Sequence, residues 1–423
     1  MRAASFESAV PFSRLLALAL AISMGAAMSL GLARFAYGLL LPAMRQDLQW
    51  SYALAGALNT SNAAGYLLGA IAAPGLLRRM DATRVFLLGA ALSCVFMAAS
   101  GFFRDTGAWM LLRALAGIGS AWVFMTGGIL AATLGARAPE RSGLLIGIYY
   151  AGAGLGITAS ALCVPPVVAW AEQSGAAGYA PWAWGWWALA VACVAASMAM
   201  LWPAKVMRPW LPLKRNENTM NISSDRGASR SSEVMDSPRH FLPALIAYIC
   251  FGMGYIGYMT FVIALLRELR FDAAQITLFY ALLGVACMLS APIWAQLLKR
   301  KDGWPLAVLN ALLGAACMLS ALSNSWLGMM ASGLLFGGCF LQVVGATTAL
   351  VRHQWPAAQW ARGIALFTIV FAAGQMVGPS LVGWIADGAG GLQKGLAVSA
   401  AILWFGAIIA MSQKPPMRSS PST

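Results

Sequence analysis

The chain has 423 residues, of which 60% are apolar and only 10% charged. An ordinary soluble domain is closer to a quarter charged, so this composition sets the protein apart from soluble enzymes and points to many membrane spans. The net charge of +14 does not point to nucleic acid, because the cations sit in short connections between apolar runs.

A hydrocarbon core of about 30 Å needs about 20 apolar helical residues. The first apolar run follows Arg14 and reaches Pro42, too long for a cleavable signal segment. Twelve candidate spans follow in order: 15–41, 52–76, 84–103, 107–134, 143–169, 182–202, 241–266, 273–298, 304–323, 326–351, 363–386 and 395–412. Residues 203–240 are polar and serine-rich and read as a flexible linker. The expected fold is all-α. It is a membrane protein of twelve transmembrane helices in two six-helix bundles, 1–202 and 241–412, with a tail at 413–423.

With the N-terminus placed inside, 21 of the 28 Lys and Arg residues fall in inner segments and 5 in outer loops. This asymmetry satisfies the positive-inside rule, so the net charge is mainly a topology signal and both termini are expected in the cytoplasm. The cluster "PWAWGWW" at 181–187 is expected to form an outer aromatic belt.

The two halves align without a gap at an offset of 221 residues. Gly31 then meets Gly252, Tyr37 meets Tyr258, and "LLRRMD" (76–81) meets "LLKRKD" (297–302). Six spans plus six, joined by a linker, is the arrangement of repeat-built secondary transporters.

The seven cysteines are scattered singly in apolar runs, and the two histidines fall at polar connections. Thus no metal site, haem or other cofactor is expected, and no catalytic cluster is visible. The glycine-rich "GAGLG" (152–156) lies inside a span, where close helix packing explains it better than a phosphate loop.

The stretches "GLARFAYGLLLPAM", "GYLLGA" and "GMGYIGYMTF" resemble the YbfB/YjiJ-type branch of the major facilitator superfamily. "RALAGIGSA", with Arg113, Gly117 and Gly119, is similar to that superfamily's R-x-x-x-G-x-G pattern, and "GQMVGPSLVGWIAD" (374–387) to its Gly-Pro pattern. The resemblance implies a transporter whose spans one, four, seven and ten line a central path. The loop after span two departs from the superfamily's G-x-x-x-D-R-x-G-R-R: Pro74 replaces the glycine and Arg78 the aspartate, while Arg79 and Arg84 fit. The second half departs likewise, with Lys299 and Asp302. A latch built on that aspartate must therefore differ here or be weak.

Two cations are embedded, Arg34 in span one and Arg113 in span four. Arg34 either snorkels to the headgroups or faces a cavity. Its helical neighbours Ala27, Gly31 and Gly38 are small, which favours the cavity. No acid lies deep in any span, so a carboxylate relay is not evident. Either the substrate carries a proton, or an end residue such as Asp387 does more than close its span, or transport is uncoupled or exchange. The expected ligand is a small organic anion, its carboxylate met bidentately by arginine. The expected substrate-binding residues are Arg34, Arg113, Tyr37, Asn62, Tyr255, Tyr258, Gln342 and Gln375. Arg79, Arg84 and Arg300 are expected to anchor the inner gate. The expected partners are the substrate and the lipid bilayer, with proton or counter-solute coupling, no nucleic acid, and a monomeric state. The alternatives are a drug or metabolite exporter of the same fold and a transporter-like membrane sensor.

Overall fold

The computed structural model describes residues 10–175, 178–211, 238–355 and 359–415. Among these residues there are twelve long helices and no strand. They are α1 (Phe12–Leu48), α2 (Tyr52–Arg79), α3 (Ala82–Ser100), α4 (Thr106–Arg137), α5 (Ser142–Ser174) and α6 (Pro181–Met207). The second set is α7 (Leu242–Glu268), α8 (Ala273–Trp294), α9 (Trp304–Leu322), α10 (Trp326–Gln354), α11 (Trp360–Ala386) and α12 (Gly391–Met411). Eleven are long and apolar enough to cross a membrane. The twelfth, α2, is 28 residues long but carries Asn59, Thr60, Ser61 and Asn62 in one run. Each of those four side chains bonds to another helix, which offsets their cost in hydrocarbon.

The offset of 221 residues carries Tyr52, which opens α2, onto Ala273, which opens α8, and Ala82 onto Gly303, which precedes α9. Helix starts follow local chemistry. Ser51, Asp81, Asp105, Asp272 and Ser325 each accept a backbone N–H of the helix they precede, while Pro181 and Pro305 sit where a missing N–H costs nothing.

The boundaries differ from the expected ones where a helix outruns its apolar segment. α1 continues through Pro42 to Leu48, and α6 runs past 202 to Met207. Most of the expected linker, 212–237, lies outside the described residues. The aromatic cluster also differs. Trp182 and Trp186 share one helix face and are buried against Trp109, so half of the expected belt is core.

Successive helices alternate in direction. The bundle thus has a linker face, where α6 ends and α7 begins, and a gate face, where α1 passes into α2 and α11 into α12. Glycines at the gate-side half bring opposite halves into backbone contact: a Cβ on Gly56 would strike the Pro379 backbone, one on Gly383 the Tyr52 backbone, and one on Gly38 the Met259 carbonyl. Toward the linker face, Gly143 and Gly147 meet nothing within 4 Å. The structure is sealed at the gate face.

Candidate functional site

Arg34 lies in a π-wound part of α1, Ala27–Phe35, where the Ala36 N–H reaches back five residues to the Gly31 carbonyl at 3.0 Å. Gly31 packs on the Gly156 backbone of α5 so closely that a Cβ has no room. The π turn changes which way Arg34 points relative to a regular helix, and such turns recur at functional sites. Arg34 is 3% exposed and donates from Nη2 to Gln375 Oε1 at 2.7 Å. Gln375 in turn donates to the Tyr255 hydroxyl. A guanidinium bonded to the opposite half is not snorkelling, so that alternative is overturned. Its guanidinium carbon also lies over the Tyr66 ring, 5.5 Å from the centroid.

Arg113 of α4 is 1% exposed. Its Nη1 donates to the Ala33 carbonyl at 2.9 Å and its Nη2 to Asn59 Oδ1 at 3.2 Å. Asn59 passes the chain across the halves by donating to Thr260 Oγ1 at 2.6 Å. The Tyr37 ring lies under the Arg113 guanidinium at 4.8 Å, and its hydroxyl donates to the Ala55 carbonyl. Asn62 donates to the Arg113 carbonyl at 3.0 Å, leaving Asn62 Oδ1 without a partner. Arg113 bonds the carbonyl of Ala33, the residue before Arg34, which places the two cations in one cluster. Tyr280 closes the cluster from α8, donating to the Phe35 carbonyl at 2.8 Å.

The structure therefore brings together Arg34, Arg113, Tyr37, Asn62, Tyr255 and Gln375. It does not bring in Tyr258 or Gln342. Tyr258 pairs with Ser332 at 2.8 Å and stacks on Phe336, and Gln342 donates to Ser290 at 2.7 Å; all these partners lie within the second half. Sequence reasoning missed Tyr66 and Thr260, whereas Asn59, beside Asn62 in one polar run of span two, was open to it either as a polar contact or as a helix-packing residue. The "NTSN" run carried the signal for Asn59, whereas Tyr66 and Thr260 stand among apolar neighbours with nothing to mark their direction.

Charge defines the chemistry here. Among the described residues, Arg34 and Arg113 are the buried charged side chains. Their bonded partners are amides and carbonyls, and both Nε atoms are buried without a partner. Buried charge is costly unless paired, so an anion that took those N–H groups would meet an unfilled requirement. On the far side, Tyr248, Phe251, Tyr255 and Phe371 stack nearly parallel, with neighbouring centroids 4.7 to 5.7 Å apart. They give the second half a flat aromatic wall. No group of three or more metal-ligating side chains is gathered among the described residues.

The basic loops at the linker face behave locally. Arg79 is exposed at the end of α2. Arg84 pairs with Asp81 at 3.2 Å, and Arg208 at the end of α6 pairs with the same carboxylate at 3.4 Å. Arg300 pairs with Asp302 at 2.6 Å. Burial alone would raise the Asp81 carboxyl, but the Thr83 hydroxyl, the Arg84 N–H and the charges of Arg208 and Arg84 hold it below the usual carboxylate range. Asp302 is held low first by its Arg300 hydrogen bond. Both aspartates also bond the start of their own next helix.

Two repeats of six helices, most of them apolar enough to span a bilayer, meeting at a buried polar cluster, define a repeat-built membrane transporter. The fold matches solved transporters. A crystal structure of the nucleoside transporter NupG, in a mutant form, superposes with TM-score 0.68 at 12% identity, covering 94% of this chain and 99% of that one. A bacterial homologue of the human lysosomal transporter Spinster, in an inward-facing and occupied conformation, gives TM-score 0.69 at 14% identity, covering 97% and 99%. The tetrameric PepTSo2 structure gives 0.67 at 15%, covering 94% and 95%. No curated protein matches the chain in sequence. Residues 26–411 match the family described as "Uncharacterised MFS-type transporter YbfB", and the chain belongs to that family of the major facilitator superfamily.

Proposed function

We propose that the protein is a secondary active transporter of a small organic anion, working by alternating access in a bacterial inner membrane. In this reading the linker face and both termini are cytoplasmic, and the two six-helix halves, 1–202 and 241–412, rock about the arginine cluster. The observation that carries the anion is the pair of buried guanidiniums whose Nε atoms have no partner, and to which no carboxylate is bonded, among the described residues. A carboxylate entering from the linker face would take over the bond that Gln375 makes with Arg34 and use the free Nε–H groups. Its binding energy would then be available to move the halves relative to each other. Two cations in one cluster disfavour a cationic cargo, although the aromatic wall alone would suit one.

Ligand-dependent thermal stabilisation of the purified protein tests this. The panel is small carboxylates, neutral solutes and lipophilic cations, on wild type and Arg34→Gln. Stabilisation by a carboxylate, lost in the variant, is the expected result. Stabilisation by cations that is unchanged in the variant would overturn the anion and favour the exporter.

A further inference from the structure

The aromatic rings beside the arginine cluster are ordered along two facing helices. On α7, Tyr248, Phe251 and Tyr255 stand three and four residues apart and so share one face. On α11, Phe367, Phe371 and Gln375 stand four apart. Phe371 is the centre of the array. Its ring lies 4.9 Å from Tyr248, 5.4 Å from Phe251 and 5.6 Å from Tyr255, with the planes inclined by only 12° to 18°. Phe340 of α10 adds a ring 10° from the plane of Tyr255. The array begins at Tyr248 and Phe367, which line a small cavity of about 50 Å³ toward the linker face. It ends at Tyr255, whose hydroxyl accepts from Gln375, the residue that holds Arg34. Packing within the repeat does not explain it. At the offset of 221 residues, Tyr248, Phe251 and Tyr255 meet Ala27, Leu30 and Arg34. Phe371 meets Tyr150, whose ring crosses those of Phe124 and Tyr149 at 62° and 67°. Parallel rings occupy the second half, and a cation stands at the matching place in the first.

We propose that the cargo is a planar aromatic carboxylate, its carboxylate on Arg34 and its ring laid parallel to Phe371 and Tyr255. The inference rests on the anion reading and narrows it. Rings held nearly parallel offer flat faces. A planar ring meets such a face over its whole area, whereas a puckered saturated ring touches it through a few hydrogens. An aromatic ring also gains offset stacking beyond the area it buries. The other end of the cargo is set by charge. Arg34 has an Nε without a partner and an Nη2 bonded only to an amide oxygen, and a carboxylate is the stronger acceptor for both. Tyr255 joins the two ends, since its ring stacks on Phe251 at 4.7 Å and its hydroxyl belongs to the Gln375–Arg34 chain. A cargo entering from the linker face meets Tyr248 and Phe367 first and passes ring over ring to Arg34. A neutral aromatic leaves the guanidinium unmatched, and an aliphatic acid leaves the array uncovered. Phe371, half-buried at the centre of the array, sets the preference for a ring, and Arg34 sets the preference for charge.

Equilibrium binding to the purified full-length protein separates the two preferences. The probes are benzoate and phenylacetate, their saturated counterparts cyclohexanecarboxylate and cyclohexylacetate, and their primary amides benzamide and phenylacetamide. In wild type an aromatic acid should bind about three- to tenfold more tightly than its saturated counterpart, and more tightly than its amide. Phe371→Leu should erase the ring preference and keep the acid ahead of the amide. Arg34→Gln should do the reverse. The wild-type comparison decides the matter by itself if a variant does not fold. Saturated acids that bind as tightly as aromatic ones, both weakened in Arg34→Gln, would overturn the aromatic cargo and leave the anion reading standing. Amides that bind as tightly as acids would overturn the anion reading and this inference with it. Aromatic acids that do not bind at all would overturn the proposal.

Discussion

The gate face and the linker face use the same device for different ends. At the gate face Asp387 accepts two N–H groups at the start of a helix belonging to the other half. At the linker face Asp81 and Asp302 accept N–H groups at the start of the next helix in their own half. The chemistry is one carboxylate and one helix N-terminus in each case. The first contact ties one half to the other, whereas the second holds only a turn within its own half. This difference explains how the chain does without the aspartate at position 78. Arg78 cannot cap a helix, and the acid three residues on stabilises α3 instead. The linker face is left without a cross-half carboxylate tie among the described residues, and the cross-half tie of Asp387 lies on the opposite side.

The largest effect is expected at the depth where the cross-half bonds end. Arg34→Gln should weaken carboxylate binding by about a hundredfold or more, since losing one partner of a buried charged contact costs roughly 2–5 kcal/mol. Equilibrium titration of the purified protein reads this directly. Next, Gly56→Ala places a methyl group against the Pro379 backbone of the other half, and the strain is about 1–3 kcal/mol. It should loosen the gate face and leave the linker face unchanged. Amide hydrogen exchange at 51–55 should rise, and exchange at the start of α3 should not.

The linker-face counterpart is smaller. Asp81→Ala should lower thermal stability by about 1 kcal/mol, the usual worth of an N-cap, with no change in exchange at 51–55. Because the folded Asp81 carboxyl sits below its usual value, its contribution is present above the unfolded range near pH 4 and fades as pH falls further. The variant and wild type should therefore converge in melting temperature in acid. Last, Arg300→Ala removes an exposed pair and should leave the melting temperature where it is.

Apolar runs and their punctuation made the twelve helices and their repeat legible, because a hydrocarbon solvent leaves few alternatives. Arg34 and Arg113 were legible for the same reason: a charge in such a run stands out. Their partners were harder to read. Tyr258 aligns with Tyr37 in the repeat, yet Tyr37 faces Arg113 while Tyr258 turns to Ser332. α7 is apolar on every side, so periodicity gave no direction. The π turn at Arg34 was invisible for a related reason, since no local residue type marks it; it lies where Gly31 packs on the Gly156 backbone. Asp387 could be placed at a helix end, but its reach to Tyr52 depends on how the two halves meet.

The most direct test of the buried arginines as an anion site compares a carboxylate that binds wild type with its own primary amide. The two molecules match closely in size and shape and differ in charge. The account predicts that the carboxylate binds more tightly by about a hundredfold, and that Arg34→Gln removes most of that difference. Equal affinity for the two, in wild type, would contradict it.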